Sequence, residues 1–173
     1  MNRLTFVSRH LKHKTKFYKM ISVCHTDERG MLLESDSGIA QSILIKWYGA
    51  NFTFGRMFCE HYNSLVALQD NVANTIRRKT VPSKGYKASA SVTHETYFDD
   101  DKEGVFNHLR HLGMSAYQAW NMTNTIATHL VLKMALLDHA QPGDDLDIEM
   151  SEVPALKSFK DKYSHIADAG GWS

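Results

Sequence analysis

Two triplets of the form His-x-Thr carry residue types that acid–base phosphoester chemistry needs: His13 with Thr15, and His94 with Thr96. Two-histidine phosphoesterases place such triplets on neighbouring strands, where each imidazole transfers a proton and each hydroxyl holds the phosphate. The segment around His94 alternates like a strand, whereas His13 lacks the apolar flank of a central strand. Because the chain has ten histidines, such triplets also arise by chance. A phosphoesterase is therefore an alternative and not the main interpretation.

His108 and His111 form a second candidate, because a spacing of three on a helix could bring both rings to one metal ion. No cysteine or carboxylate joins them at a recognisable spacing, so two solvated surface histidines are the simpler explanation. Cys24 and Cys59 fit neither a disulfide framework nor a zinc ribbon and are expected to be buried thiols. The sequence predicts no catalytic residue, no metal site and no cofactor.

The strongest signal lies in the first twenty residues, which contain basic side chains and no acidic one. The basic residues are Arg3, Arg9, Lys12, Lys14, Lys16 and Lys19. Apolar residues lie among them, namely Leu4, Phe6 and Leu11. Such a segment suits an anionic partner, either a lipid surface or a nucleic acid. Because each Lys or Arg near an anionic membrane contributes about 1 kcal/mol, we expect these nine residues to bind membrane. Residues 1–15 would form a basic N-terminal arm, with Lys16 and Lys19 directly after it.

A second basic cluster, Arg77, Arg78 and Lys79, lies where a helix is expected to end, and helix C-termini favour positive charge. A nucleic-acid-binding or regulatory protein is the leading alternative function. It would use the arm and this cluster for phosphates, and Phe17 or Tyr18 for stacking on bases.

The segments that would position these residues combine strand and helix patterns. Strands are predicted over 16–25, 86–98 and 146–150, with a short return strand over 31–34. Helices are predicted over 37–47, over 56–78, from the Asp triplet at 99–101 to Gly113, and from a cap at Ser115 to Leu137. The class is α+β: residues 16–173 form one compact domain, a small antiparallel sheet packed by two to four helices.

Composition agrees with that class. The chain has 173 residues, of which 43% are hydrophobic, enough for one domain with a real core, and its formal net charge is +1. It contains no apolar run of about 20 residues, the length that spans a bilayer, and its first residues do not have the pattern of a secretory signal. We therefore expect an intracellular protein that meets a membrane only from outside.

Three stretches together resemble the matrix proteins of rhabdoviruses: residues 16–24, residues 35–43 followed by Trp47-Tyr48-Gly49, and residues 92–101. In that family a strand precedes a helix that begins at Ser-Asp, an aromatic-Gly turn follows, and a later strand ends in an Asp-rich turn. The resemblance covers residues 16–58 and 86–102 loosely. This chain is shorter, its arm is brief, and it lacks the Pro-rich motif with which many relatives recruit budding machinery.

The resemblance implies a viral structural protein and not an enzyme. Its partners would be anionic membrane lipids, further copies of itself, the viral nucleocapsid and, non-specifically, RNA. It would link nucleocapsid to envelope during assembly and budding. Its location would be the virion, the host cytoplasm and the inner face of the membrane.

Overall fold

The computed structural model describes residues 2–26, 42–62, 64–98 and 102–132. These residues form a six-stranded antiparallel sheet with helices on both faces. In chain order the elements are β1 (Asn2–Lys12), β2 (Lys16–Thr26), β3 (Ser42–Ala50), β4 (Arg56–Tyr62), α1 (Leu65–Lys79), β5 (Lys87–Ala88), β6 (Val92–Phe98), α2 (Glu103–His111), α3 (Ala116–Ile126) and a π-helical continuation, Ala127–Leu132. The predicted α+β class and single compact domain are confirmed.

The N-terminal segment is an interior strand of this sheet. The strand order is β4-β3-β2-β1, and β1 pairs on its other side with both β5 and β6. The prediction of a separate arm over residues 1–15 is therefore wrong from Asn2 to Lys12. Basic residues are interspersed among its apolar residues, so the pattern of a strand buried on both faces was not recognised.

Each face of the sheet carries its own hydrophobic core. Leu4 and Phe6 of β1 pack with α2 and α3 on one face, whereas Leu11 packs with α1 on the other. These three side chains are at most 1% exposed. Because successive residues of a strand point to opposite faces, a chain buried on both faces contributes apolar residues at odd and even positions alike.

Two helix predictions are also wrong. Residues 42–50 form β3 and not the end of a helix over 37–47; Ile43 and Ile45 point to one core and Leu44 to the other. A short apolar run of this kind matches helical spacing by coincidence. The helix predicted over 56–78 is really β4 followed by α1, which Ser64 caps by accepting a hydrogen bond from the amide of Ala67.

The strand predicted over 86–98 is present but interrupted. Ala88 of β5 pairs with Leu11, and Val92 of β6 pairs with Ser8. Residues 89–91 therefore lie opposite residues 9–10, three against two, which is a β-bulge.

The predicted stop at Gly113, with φ of 101°, and the cap at Ser115 are both observed. The predictions for residues 31–34, 99–101 and 146–150, and the end of the last helix at Leu137, lie outside the described residues.

Candidate nucleic-acid interface

Three loops meet at one end of the sheet: the β1–β2 turn, the β3–β4 loop and the α1–β5 loop. The amide of Asn51 donates to the carbonyl oxygen of Thr15 at 3.0 Å, and its side-chain Nδ2 donates to the carbonyls of His13 and Lys14, both at 3.2 Å. Gly85 approaches His13 so closely that a Cβ there would lie 3.2 Å from Nε2 of that ring. The three loops therefore form one continuous surface.

Seven basic side chains surround this end of the molecule, and we refer to them as the basic end. They are Lys12, Lys14, Lys16, Arg78, Lys79, Lys84 and Lys87. All are exposed except Lys79, which is half-buried. Arg77 lies beside them in the last turn of α1. The arrangement joins part of the predicted arm to the second basic cluster, which the sequence places some sixty residues away.

Few acidic groups oppose this charge. The described residues include fifteen lysines and arginines and four acidic residues. The four are Glu60, Asp70, Glu95 and Glu103. None of them lies in the three loops of the basic end. Among the described residues, the three loops therefore present positive charge alone to a polyanion.

Aromatic rings support the lysines of the basic end. The Nζ atom of Lys79 lies 4.3 Å from the ring centroid of Tyr18 and 5.2 Å from that of Tyr86, and Lys16 Nζ lies 5.6 Å from the Tyr86 ring. Burial, followed by the nearby charges of Lys16 and Arg78, lowers the pKa of Lys79. The ammonium groups thus repel one another, and an anion would relieve that repulsion.

An exposed aromatic ring projects from the same end. Phe52, in the β3–β4 loop, has a relative exposure of 106% and a φ of 67°. A non-glycine residue in this left-handed region is strained by about 1–2 kcal/mol. The base of the loop is held firmly, because Trp47 Nε1 and Gln118 Nε2 both donate to the carbonyl of Phe54. The fold therefore holds Phe52 in solvent on a fixed support.

The sequence analysis did not identify Phe52 as a functional residue. The available signal was Asn51 to Gly55, a short polar and Gly-containing stretch between two apolar segments, which is typical of a hairpin loop. Because a helix was predicted from residue 56, the hairpin loop that carries Phe52 was not recognised.

The nine predicted membrane-binding residues separate in the structure. Lys12, Lys14 and Lys16 belong to the basic end. Arg3 instead forms an ion pair with Glu95, and Arg9 and Lys19 lie by a pocket on the α2 side of the sheet.

The predicted apolar contacts are wrong, since Leu4, Phe6 and Leu11 lie in the two cores and cannot reach an acyl boundary. Phe17 and Tyr18, the predicted stacking residues, are each only 8% exposed, so they also cannot stack on a base.

The structure also separates the two histidines that the phosphoesterase alternative would bring together, His13 and His94. His13 lies in the β1–β2 turn, where its Nδ1 accepts from the amide of Thr15 at 3.1 Å. His94 lies opposite Phe6, seven residues back along β1, a separation of about 23 Å at about 3.3 Å per residue. The two His-x-Thr triplets do not form one site.

His94 stacks on His108 with 3.7 Å between ring centroids. His108 and His111 both line the pocket on the α2 side of the sheet. No group of three or more His, Cys, Asp or Glu side chains among the described residues is placed to hold a metal ion.

Comparisons with protein-family models, with curated proteins and with solved structures found no match to this chain. Within the described ranges, no helix is long and apolar enough to cross a membrane.

Proposed function

We propose that this protein binds nucleic acid through the basic end, with lysines on the phosphates and Phe52 stacked on a base. The observation that carries the proposal is the meeting of seven basic side chains and one fully exposed aromatic ring on three loops fixed to a rigid sheet. Phosphate contacts supply most of the affinity and orient the strand. An aromatic ring adds about 1–3 kcal/mol for each base that it stacks on.

A single strand, or the frayed end of a duplex, suits this surface best. A base that stacks on Phe52 must be unpaired or terminal, because the bases inside a duplex stack on one another. With about four phosphates neutralised, the logarithm of the binding constant would fall with the logarithm of the salt concentration with a slope of about −2.8 for a single strand. Because stacking tolerates every base, the proposal implies weak sequence preference.

The membrane interpretation has less support from the same surface. A peripheral protein buries a broad apolar face beside its basic residues, and the residues expected to do so in the arm are in the core. The helix that the matrix resemblance expects before Trp47 is replaced by β3, and Trp47, Tyr48 and Gly49 lie within that strand and not in a turn. Self-association and nucleocapsid binding stay predictions.

Fluorescence anisotropy with a labelled single-stranded oligothymidine tests the proposal, with anionic phosphatidylserine vesicles as the competing ligand. Lys14→Gln should reduce the salt slope by about 0.7, the loss of one phosphate contact. Phe52→Ala should weaken binding by about five- to 150-fold, which corresponds to the loss of one stacked base, and should leave the salt slope unchanged.

Two variants far from the basic end serve as controls. Arg3→Gln removes a positive charge at the opposite end of β1, and Val66→Ala shortens an apolar side chain that is 66% exposed. Both should bind like the wild type. Lack of oligonucleotide binding at about 50 mM salt, or binding to vesicles alone, would refute the proposal; the second result would restore the membrane interpretation.

A further inference from the structure

An open pocket with a basic lining lies on the α2 side of the sheet. It has a volume of about 660 Å³ and is lined by residues of β1, β2, the β5–β6 segment and α2. Its lining includes two permanent cations and four histidines: Arg9, Lys19, His10, His94, His108 and His111. None of the described residues that line it is acidic. Its volume falls in the range of small-molecule sites, about 300–1,000 Å³.

Lys19 is a half-buried cation at the floor of this pocket. Its Nζ lies 4.5 Å from the ring centroid of Trp47 and donates to the carbonyl oxygen of Leu112 at 3.4 Å. The structure gives it no carboxylate partner in the part of the chain that it describes. Burial lowers its pKa. Its described partners are the Trp47 and Phe17 rings and one carbonyl. A half-buried ammonium without a described carboxylate partner is costly, and an anion in the pocket would offset that cost.

Arg9 lies at the β-bulge, where it borders both this pocket and a second pocket on the α1 side of the sheet. Its Nε donates to the carbonyl of Ser89 at 2.6 Å, while the amide and the hydroxyl of Ser89 both donate to the carbonyl of His10. The bulge thereby fixes the guanidinium at the gap between β5 and β6. Strand bulges commonly re-aim a side chain next to a site, and a guanidinium can bind the two oxygens of a phosphate or carboxylate in parallel.

We propose that this pocket binds a small organic anion of nucleotide size, with Arg9 and Lys19 receiving its phosphate or carboxylate group. The flat pair of His94 and His108 rings forms one wall for the body of the ligand. The inference is independent of the proposed nucleic-acid function, because the pocket and the basic end share no residue.

The histidines make the affinity depend on pH. His108 stacks on His94 of β6, and His111 lies on its own helix. His10 of β1 and Lys19 of β2 line the same pocket, so the titratable groups of its described lining are all basic. Burial, followed by His94 and His111, lowers the pKa of His108 to about 4. A bound anion reverses this effect by favouring the imidazolium. For an anion of constant charge, affinity should therefore rise as the pH falls from about 7 towards the pKa of His108. A phosphate monoester itself takes up a proton at about pH 6, which opposes that rise.

Calorimetric titration of the full chain with adenosine 5′-monophosphate, inorganic phosphate and adenosine tests the proposal, at about pH 7 and about pH 5. The monophosphate should bind at both pH values, and adenosine should bind at neither. Lys19→Met, which keeps the apolar stem over Trp47, should weaken binding by about tenfold or more. The histidine wall is tested separately by His94→Ala, since His94 is exposed at the pocket rim and its replacement should preserve the fold.

Lys84→Met at the basic end is the matched control and should bind like the wild type. An equal loss of affinity in Lys84→Met and Lys19→Met would assign the anion to the basic end and overturn the proposal. Equal binding of adenosine and its monophosphate would also overturn it, as would absence of binding by both phosphate-bearing probes at both pH values. Urea unfolding of each variant separates lost binding from lost structure, and His94→Ala decides the outcome if Lys19→Met does not fold.

Discussion

Replacing Phe6 by Ala should destabilise the protein severely, because β1 lies inside the sheet. The Phe6 side chain is 1% exposed, and its ring lies 5.0 Å from that of His108 in an edge-on contact. Truncation of a buried Phe to Ala costs about 3–5 kcal/mol, through lost burial and the cavity that remains. Domains of this kind are stable by only about 5–15 kcal/mol. The substitution should therefore remove a large fraction of the total stability.

Deleting residues 1–15 should have a larger effect, because it removes a whole interior strand. Both β2 and β6 would lose their hydrogen-bonded neighbour, and three fully buried side chains would disappear from the two cores. The shortened chain should show no cooperative unfolding transition. A membrane-binding arm would behave differently, since its removal would leave the folded domain intact.

Urea unfolding followed by tryptophan fluorescence and far-ultraviolet circular dichroism measures both effects. Phe6→Leu is the conservative control and should lose much less stability than Phe6→Ala. Lys14→Ala, an exposed change in the same N-terminal segment, should stay within about 0.5 kcal/mol of the wild type. A shortened chain that unfolds with the wild-type midpoint, or a Phe6→Ala variant within about 0.5 kcal/mol of the wild type, would refute the placement of β1.

Three further predictions concern the loop, the histidine wall and the thiols. Phe52→Gly should raise the free energy of unfolding by up to about 1 kcal/mol, because glycine adopts a φ of 67° without strain; a loss of stability in urea would mean that the ring packs on the fold. The pKa of His108 is lowered to about 4 by burial, His94 and His111, so the unfolded chain takes up a proton first and stability should fall as the pH drops from about 6.5 towards 4. His108→Gln should flatten that part of the pH profile, and an unchanged profile would contradict the assignment. Burial raises the pKa of Cys24 and Cys59 to about 11, so both should react slowly with a thiol reagent at about pH 8 until urea is added; fast labelling of the folded protein would show that they are accessible.

The local features of the fold were the predictable ones. Ser115 begins α3 with its side chain on the amide of Gln118, and Gly113 ends the preceding turn in the left-handed region that glycine adopts easily. Both signals depend on a few adjacent residues. The strand signal over 92–98 was equally clear and corresponds to β6, whose side chains from residue 92 to residue 95 are exposed.

The failures at β1 and β3 share a cause, which is burial on both faces of the sheet. The helix predicted from residue 56 failed differently, because the edge strand β4 has no buried residue to mark it. A strand covered by α1 on one side and by α2 and α3 on the other has no polar face, so period-two alternation disappears from β3. In β1 the same burial was not recognised, because basic residues are interspersed with the buried apolar ones along the strand and follow at its end. Only the pairing of β1 with β2 and β6, a long-range feature, distinguishes such a strand from an arm.

The candidate site could not be located from the sequence, because its parts are distant along the chain. Lys14, Phe52 and Lys84 come from three loops, and the contacts of Asn51 and Gly85 with the β1–β2 turn bring them together. The sequence singled out six basic residues near the N-terminus for an anionic partner, and that role stays a prediction. The sequence did not indicate that only three of these basic residues, Lys12, Lys14 and Lys16, point to a common surface.

The near-neutral net charge conceals the charge that a partner would meet. The chain as a whole has a formal charge of +1, yet the described residues contain fifteen lysines and arginines and four acidic residues. The rest of the sequence contains five basic and fifteen acidic residues, so the two parts nearly cancel. Charges farther apart than about 8–10 Å are largely screened at physiological salt. The nucleic-acid proposal therefore rests on the local excess of lysines and arginines among the described residues and not on the total charge.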